Sequence, residues 1–226
     1  MLRSSIFRTT MSTCAGLLMV WCTTPAFAHP FASEMIEGDP TDPPAGYVDL
    51  CQRDGLLCQQ LAGVPPAGSP NAAPIDARDR MFLVKHINRY VNANVTQRVD
   101  SGARDQWNRS GTGRNAVGDC EDLAIEKRLR LIEAGFPAQD LYFAIGYQRR
   151  AGLHLVLVAR TEQGDYVLDS RTPYINFWAK APYVWIMRQS TGQSDVWRST
   201  LPVSSPYSAP VRHMAATEID AAALRS

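Results

Sequence analysis

The run from Cys120 to Asp169 sets the tightest limit on what this chain can become. Gly118-Asp119 breaks the preceding segment and caps a helix over about residues 120–134. Leu123, Ala124, Ile125, Leu129 and Ile132 form its buried side, and Glu126, Lys127, Arg128, Arg130 and Glu133 are expected to face water. Gly135 is placed for the C-terminal cap, and Pro137 stops any continuation. Strands then read at 141–145, 153–160 and 166–169, the last two joined by the turn Thr161-Glu162-Gln163-Gly164. A helix followed by strands on a tight turn is a local pattern of helix packed beside hairpin.

The flanks are less regular. Asp76 caps a helix through about Asn92, with Met81, Leu83, Val84, Ile87 and Val91 as an apolar stripe. His86 on that helix reads as a packed or solvated side chain. Residues 94–117 are polar and Gly-rich, an ordered loop whose large anchor, Trp107, reads as a core residue rather than a cleft wall. Tyr174, Phe177, Trp178, Tyr183 and Trp185 suggest further strand or packing surface. Residues 29–76 form an irregular Pro/Gly/Ala-rich N-terminal arm that includes a linker at 64–74, and 201–226 form a loose Ser/Pro/Ala-rich tail.

Residues 1–28 read as a cleaved secretory signal. Arg3 and Arg8 precede a short apolar core from Cys14 to Cys22, and Ala26-Phe27-Ala28 is the cleavage site. The run is too short for a bilayer span, which needs about 20 residues. Trp21 argues against lipidation at Cys22. Loss of Arg3 and Arg8 moves the net charge from +1 to −1. A near-neutral chain with no basic run is not built for nucleic acid. The expected location is the periplasm.

Export gives the cysteines meaning. Of the five, Cys14 and Cys22 leave with the signal. Cys51 and Cys58 can pair, and a structural disulfide is preferred over a metal or redox site because the spacing is not CxxC. Cys120 remains, a lone thiol in an oxidising compartment.

Cys120 falls in the first turn of its helix. Unpaired N–H groups and the positive dipole end there favour thiolate over a thiol of pKa about 8.5 and can hold an oxyanion. If Arg160 faces Asp165 across the turn, His154 and Asp169 lie on one face of the hairpin as diagonal neighbours, within reach of a hydrogen bond. Cys120, His154 and Asp169 then have the roles of nucleophile, base and orienting carboxylate. Asp119, Glu121 and Asp122 crowd the sulfur and oppose its ionisation. They either improve the helix N-terminus, pairing with cations such as Arg114, or bind a hard divalent cation.

The segments GDCEDLAIEKRLRLIEAGFP, LHLVLVAR and GDYVLDS resemble the bacterial transglutaminase-like cysteine proteinases of the LapG type, over about residues 77–190. The resemblance implies an α+β, papain-like fold for a domain at 77–200, with a Cys-bearing helix packed on an antiparallel sheet. It implies Cys120 as nucleophile, His154 as general base and acid, and Asp169 as the orienting residue. It also implies calcium as cofactor, with Asp119 and Glu121, and less strongly Asp122, as metal ligands. A large surface adhesin of biofilms as substrate and an inner-membrane cyclic-di-GMP receptor of the LapD type as partner follow from the same resemblance. Two other readings remain: acyl transfer to an amine, as transglutaminases perform it, and a non-catalytic calcium-stabilised binding module.

Overall fold

Strand pairing explains how the chain gathers its site. The computed structural model describes residues 33–67, 73, 75–98 and 106–200; the signal segment and the tail lie outside them. Among the described residues, one sheet runs β1 (Pro40–Thr41), β9 (Gln193–Ser199), β8 (Val184–Ser190), β4 (Leu141–Gln148), β5 (Gly152–Thr161), β6 (Gly164–Leu168) and β7 (Asn176–Phe177), in that order across the sheet. Every pairing in it is antiparallel. The β5–β6 register joins Arg160 to Asp165 and Leu157 to Leu168, as the turn at 161–164 requires.

The helices α1 (Ala45–Arg53), α2 (Gly55–Leu61), α3 (Ala77–Asn94) and α4 (Cys120–Glu133) build the main core with one face of the sheet. Leu123, Ile125 and Leu129 of α4 meet Leu155, Leu157 and Leu168 there. The end of α4 is a Schellman motif. Gly135, at φ 87°, lets Phe136 N–H reach Leu131 O at 2.9 Å and Gly135 N–H reach Ile132 O at 2.9 Å.

The stretch expected to be irregular carries α1 and α2, bridged by the Cys51–Cys58 disulfide. Tyr47, Leu50, Leu57 and Leu61 are buried in the main core. Its Pro/Gly content had hidden two helices shorter than three turns each. Trp107 is also core: it is 2 % exposed and packs edge-on against Tyr47 and Phe143.

The opposite face of the sheet is covered as well. Met35 sits among Tyr142, Val156, Val158, Val167 and Trp185. Its N–H donates to Asp165 Oδ2 at 2.7 Å, and its carbonyl accepts from the buried Arg188 at 2.7 Å. This segment is a strap that makes β4 and β5 interior strands on both sides.

One expectation about α4 is overturned. Glu126, Lys127 and Arg128 do not face water; all three are buried. The helix is packed around most of its girth by α2, α3, β5 and the 106–112 segment, so charged side chains find protein partners instead of solvent. Glu126 accepts from Arg109 Nε at 2.9 Å, Arg130 Nε at 2.6 Å and the Gly111 N–H at 3.2 Å. Arg128 donates to Leu61 O at 2.8 Å and Gln189 Oε1 at 2.9 Å, with its guanidinium over the Phe143 ring. Period alone assigns these residues to a wet face, and apart from Arg130 the partners that permit their burial come from other segments of the chain.

Candidate active site

Cys120 is the first residue of α4. Asp119 is the N-cap, and its carboxylate accepts from Asp122 N–H at 3.5 Å. The approach to the helix is fixed by β3 (Val117–Gly118), which pairs in parallel with β2 (Thr96–Gln97) at the end of α3. The half-buried thiol donates to Glu121 Oε2 at 3.0 Å. Burial pushes its pKa well above the usual thiol value. The Glu121 charge and hydrogen bond and the Asp119 charge push the same way, against a backbone hydrogen bond from Leu155. Burial first, and then the two carboxylates, thus oppose the thiolate that the helix end favours. The Leu155 contact also places Cys120 against β5, one residue past His154.

His154 and Asp169 meet directly. His154 Nε2 lies 2.8 Å from Asp169 Oδ1. The same oxygen accepts the Arg171 N–H at 2.9 Å, and Oδ2 accepts the Tyr183 hydroxyl at 2.6 Å. Burial alone would raise the Asp169 pKa. The His154 hydrogen bond and charge, the Tyr183 hydroxyl and the Arg171 amide reverse this and hold it far below the usual carboxylate range. Both residues are nearly buried, His154 at 3 % and Asp169 at 5 % exposure. Among the described residues the thiol bonds Glu121, and no hydrogen bond joins it to the imidazole.

Several supporting side chains were not legible as such. Tyr183 was noted only as packing surface, yet it stacks on the His154 ring (centroids 5.7 Å apart) while bonding Asp169. Gly146 leaves room for it; a Cβ there would come within 2.7 Å of Tyr183 Cβ. Asn92 donates to the carbonyls of Asp169 and Thr172, each at 2.8 Å, and Asn88 donates to Thr172 O at 3.1 Å. Gln97 donates to Ser170 O at 2.7 Å. The helix α3 and β2 thus grip the turn that carries Asp169. The i, i+4 spacing of Asn88 and Asn92 beside an apolar stripe was the available signal.

The three carboxylates expected to hold calcium have hard oxygen donors, which suit that ion. Their placements differ. Asp119 serves the helix cap, Glu121 takes the thiol, and Asp122 is 6 % exposed with Oδ1 on the Asn108 N–H at 2.6 Å. Among the described residues no three His, Cys, Asp or Glu side chains gather as a metal site. The donor chemistry fits calcium; the present arrangement of these three does not form its cage.

The thiol thus stands at the start of a helix beside the strand whose His154 bonds Asp169, one residue past the end of β6. The model of the bacterial transglutaminase-like cysteine proteinases (BTLCP) matches residues 37–204. The chain belongs to that family. As a BTLCP member it is a cysteine peptidase of transglutaminase-like fold. The match takes in α1, α2 and the disulfide. Solved structures similar to this BTLCP chain include calcium-bound LapG of Legionella pneumophila, with 19 % identity over 72 % of this chain and 89 % of that one and a TM-score of 0.44. EGTA-treated LapG of the same organism has 18 % identity over 73 % and 88 %, with a TM-score of 0.44. No curated protein matches.

Proposed function

We propose that this protein is an exported, periplasmic cysteine endopeptidase in which Cys120 is the nucleophile, His154 the general base and acid, and Asp169 the residue that orients the imidazole. The observation that carries the reading is the Asp169 carboxylate. One oxygen takes His154 Nε2 and the other takes Tyr183, which fixes the ring and leaves Nδ1 for proton transfer. Substrate entry moves the thiol proton to His154, a contact that commonly tightens only in the complex. The thiolate attacks the scissile carbonyl carbon, and first-turn N–H groups of α4 receive the oxyanion. Imidazolium returns its proton to the leaving amine, and water, deprotonated by His154, cleaves the thioester.

Calcium belongs to the proposal on donor chemistry, with Asp119 and Glu121 as ligands and Asp122 as a lesser one. Bound calcium would place a positive charge beside the nucleophile. A large surface adhesin is the proposed substrate, and an inner-membrane cyclic-di-GMP receptor of the LapD type the proposed regulator. No described helix is long and apolar enough to cross a membrane.

The test is digestion of a denatured protein library, with new N-termini read by mass spectrometry. Wild type is expected to generate termini that Cys120→Ser does not, and to give water-derived rather than amine-capped C-termini when a primary amine is added. Equal cleavage by both proteins, or none by either, ends the endopeptidase reading.

A further inference from the structure

Lys127 is a buried cation that the proposed chemistry does not use. It lies two helical turns along α4 from Cys120, so the two side chains leave the helix on nearly the same face. Its exposure is 0 %. Among the described residues its ammonium makes one hydrogen bond, to Leu168 O at 3.3 Å. Leu168 ends β6, and the next residue is Asp169. Burial pulls the lysine's pKa down to about 7, while the charges of Asp169 and Cys120 act to retain its proton.

Stability does not account for a lysine in this place. An ammonium has three donors, and one neutral carbonyl is poor compensation for its desolvation. An unbranched apolar side chain of similar length would fill the space at lower cost. What the lysine supplies is a link. A donor on the Cys120 helix reaches the carbonyl that precedes Asp169, so one side chain joins the two elements whose spacing decides whether sulfur and imidazole can meet.

We infer that Lys127 is a positioning residue: it fastens the helix that carries Cys120 to the strand end that carries Asp169, and so sets the nucleophile's distance from the His154–Asp169 pair. This rests on the endopeptidase reading. Replacing a purely structural lysine would lower the melting temperature and spare turnover; replacing a positioning lysine lowers turnover without lowering the melting temperature.

The experiment uses the full chain and a fluorogenic peptide drawn from a site that wild type cleaves and Cys120→Ser does not. Lys127→Met and Lys127→Gln are compared with wild type for kcat, KM and Tm, and Lys127→Met is combined with Asp169→Asn. Lys127→Met is expected to lose at least tenfold in kcat, with KM within twofold and Tm unchanged or higher. Lys127→Gln, which keeps a donor, is expected to recover part of the loss. In the Asp169→Asn background Lys127→Met should cost less than threefold, because the residue it positions is already disabled. A kcat within twofold of wild type in both variants, additive losses in the double variant, or failure of both single variants to fold overturns the inference and leaves the endopeptidase reading standing. Wild type that cleaves no peptide overturns both.

Discussion

The Tyr183 hydroxyl donates to Oδ2 of Asp169 across 2.6 Å, while its ring stacks on the imidazole that Oδ1 holds. One tyrosine thus restrains both members of the pair. Tyr183→Phe keeps the stack and removes the bond. A hydrogen bond to a charged group is worth about 1.5–3 kcal/mol. The expected result is a fall in kcat of about tenfold with KM little changed, read by steady-state kinetics. Unchanged kcat would show that Arg171 N–H and His154 hold Asp169 unaided.

Lys127 gives a pH dependence whose sign is fixed. Its pKa is about 7 folded against 10.5 in the unfolded chain. Between these values the unfolded chain binds more protons, so wild-type stability gains from this group as pH rises. Below about pH 7 the burial penalty is complete. Lys127→Met removes the penalty, so its Tm should exceed that of wild type most at pH 6, and the gap should narrow toward pH 9.5. Calorimetry across that range checks it; a gap that widens with pH contradicts the assignment.

Glu126 holds Arg109 and Arg130 from a side chain with 0 % exposure. Its arginine partners are 37 % and 27 % exposed, and Arg109 keeps Glu133, so losing Glu126 costs less than the roughly 3–5 kcal/mol of breaking a fully buried pair. Glu126→Ala should lose about 2 kcal/mol in urea unfolding, with an unchanged m-value. A loss under 1 kcal/mol would mean that water already reaches the pair.

Much of this site was legible because it is local. Cys120, its Asp119 cap and the Gly135 stop lie within one helix, and the β5–β6 register follows from a two-residue turn. His154 and Asp169 could be placed on one face from strand parity alone. The buried charges could not be read, since apart from Arg130 on the same helix the partners of Glu126 and Arg128 lie on other segments. Tyr183 was hidden for the same reason: it immediately precedes β8, a non-local neighbour of β4, and nothing near it in sequence indicates Asp169. The strap at Met35 gave no periodic signal, being a single apolar residue pinned by backbone bonds.

Calcium is tested by stability as well as activity. A ligand at one hundred times its dissociation constant adds about 2.7 kcal/mol to stability. Calcium is expected to raise Tm and EGTA to reverse the rise, and Asp119→Ala should remove the response. A Tm and a cleavage rate indifferent to both additions would exclude a calcium site at the nucleophile.

The most direct measurement is acid-quench mass spectrometry during the first turnovers on a cleaved peptide. An acyl adduct is expected on the tryptic fragment that contains Cys120, accumulating in wild type and missing from Cys120→Ser. An adduct on another residue, or normal cleavage by Cys120→Ser, would contradict the role given to that sulfur.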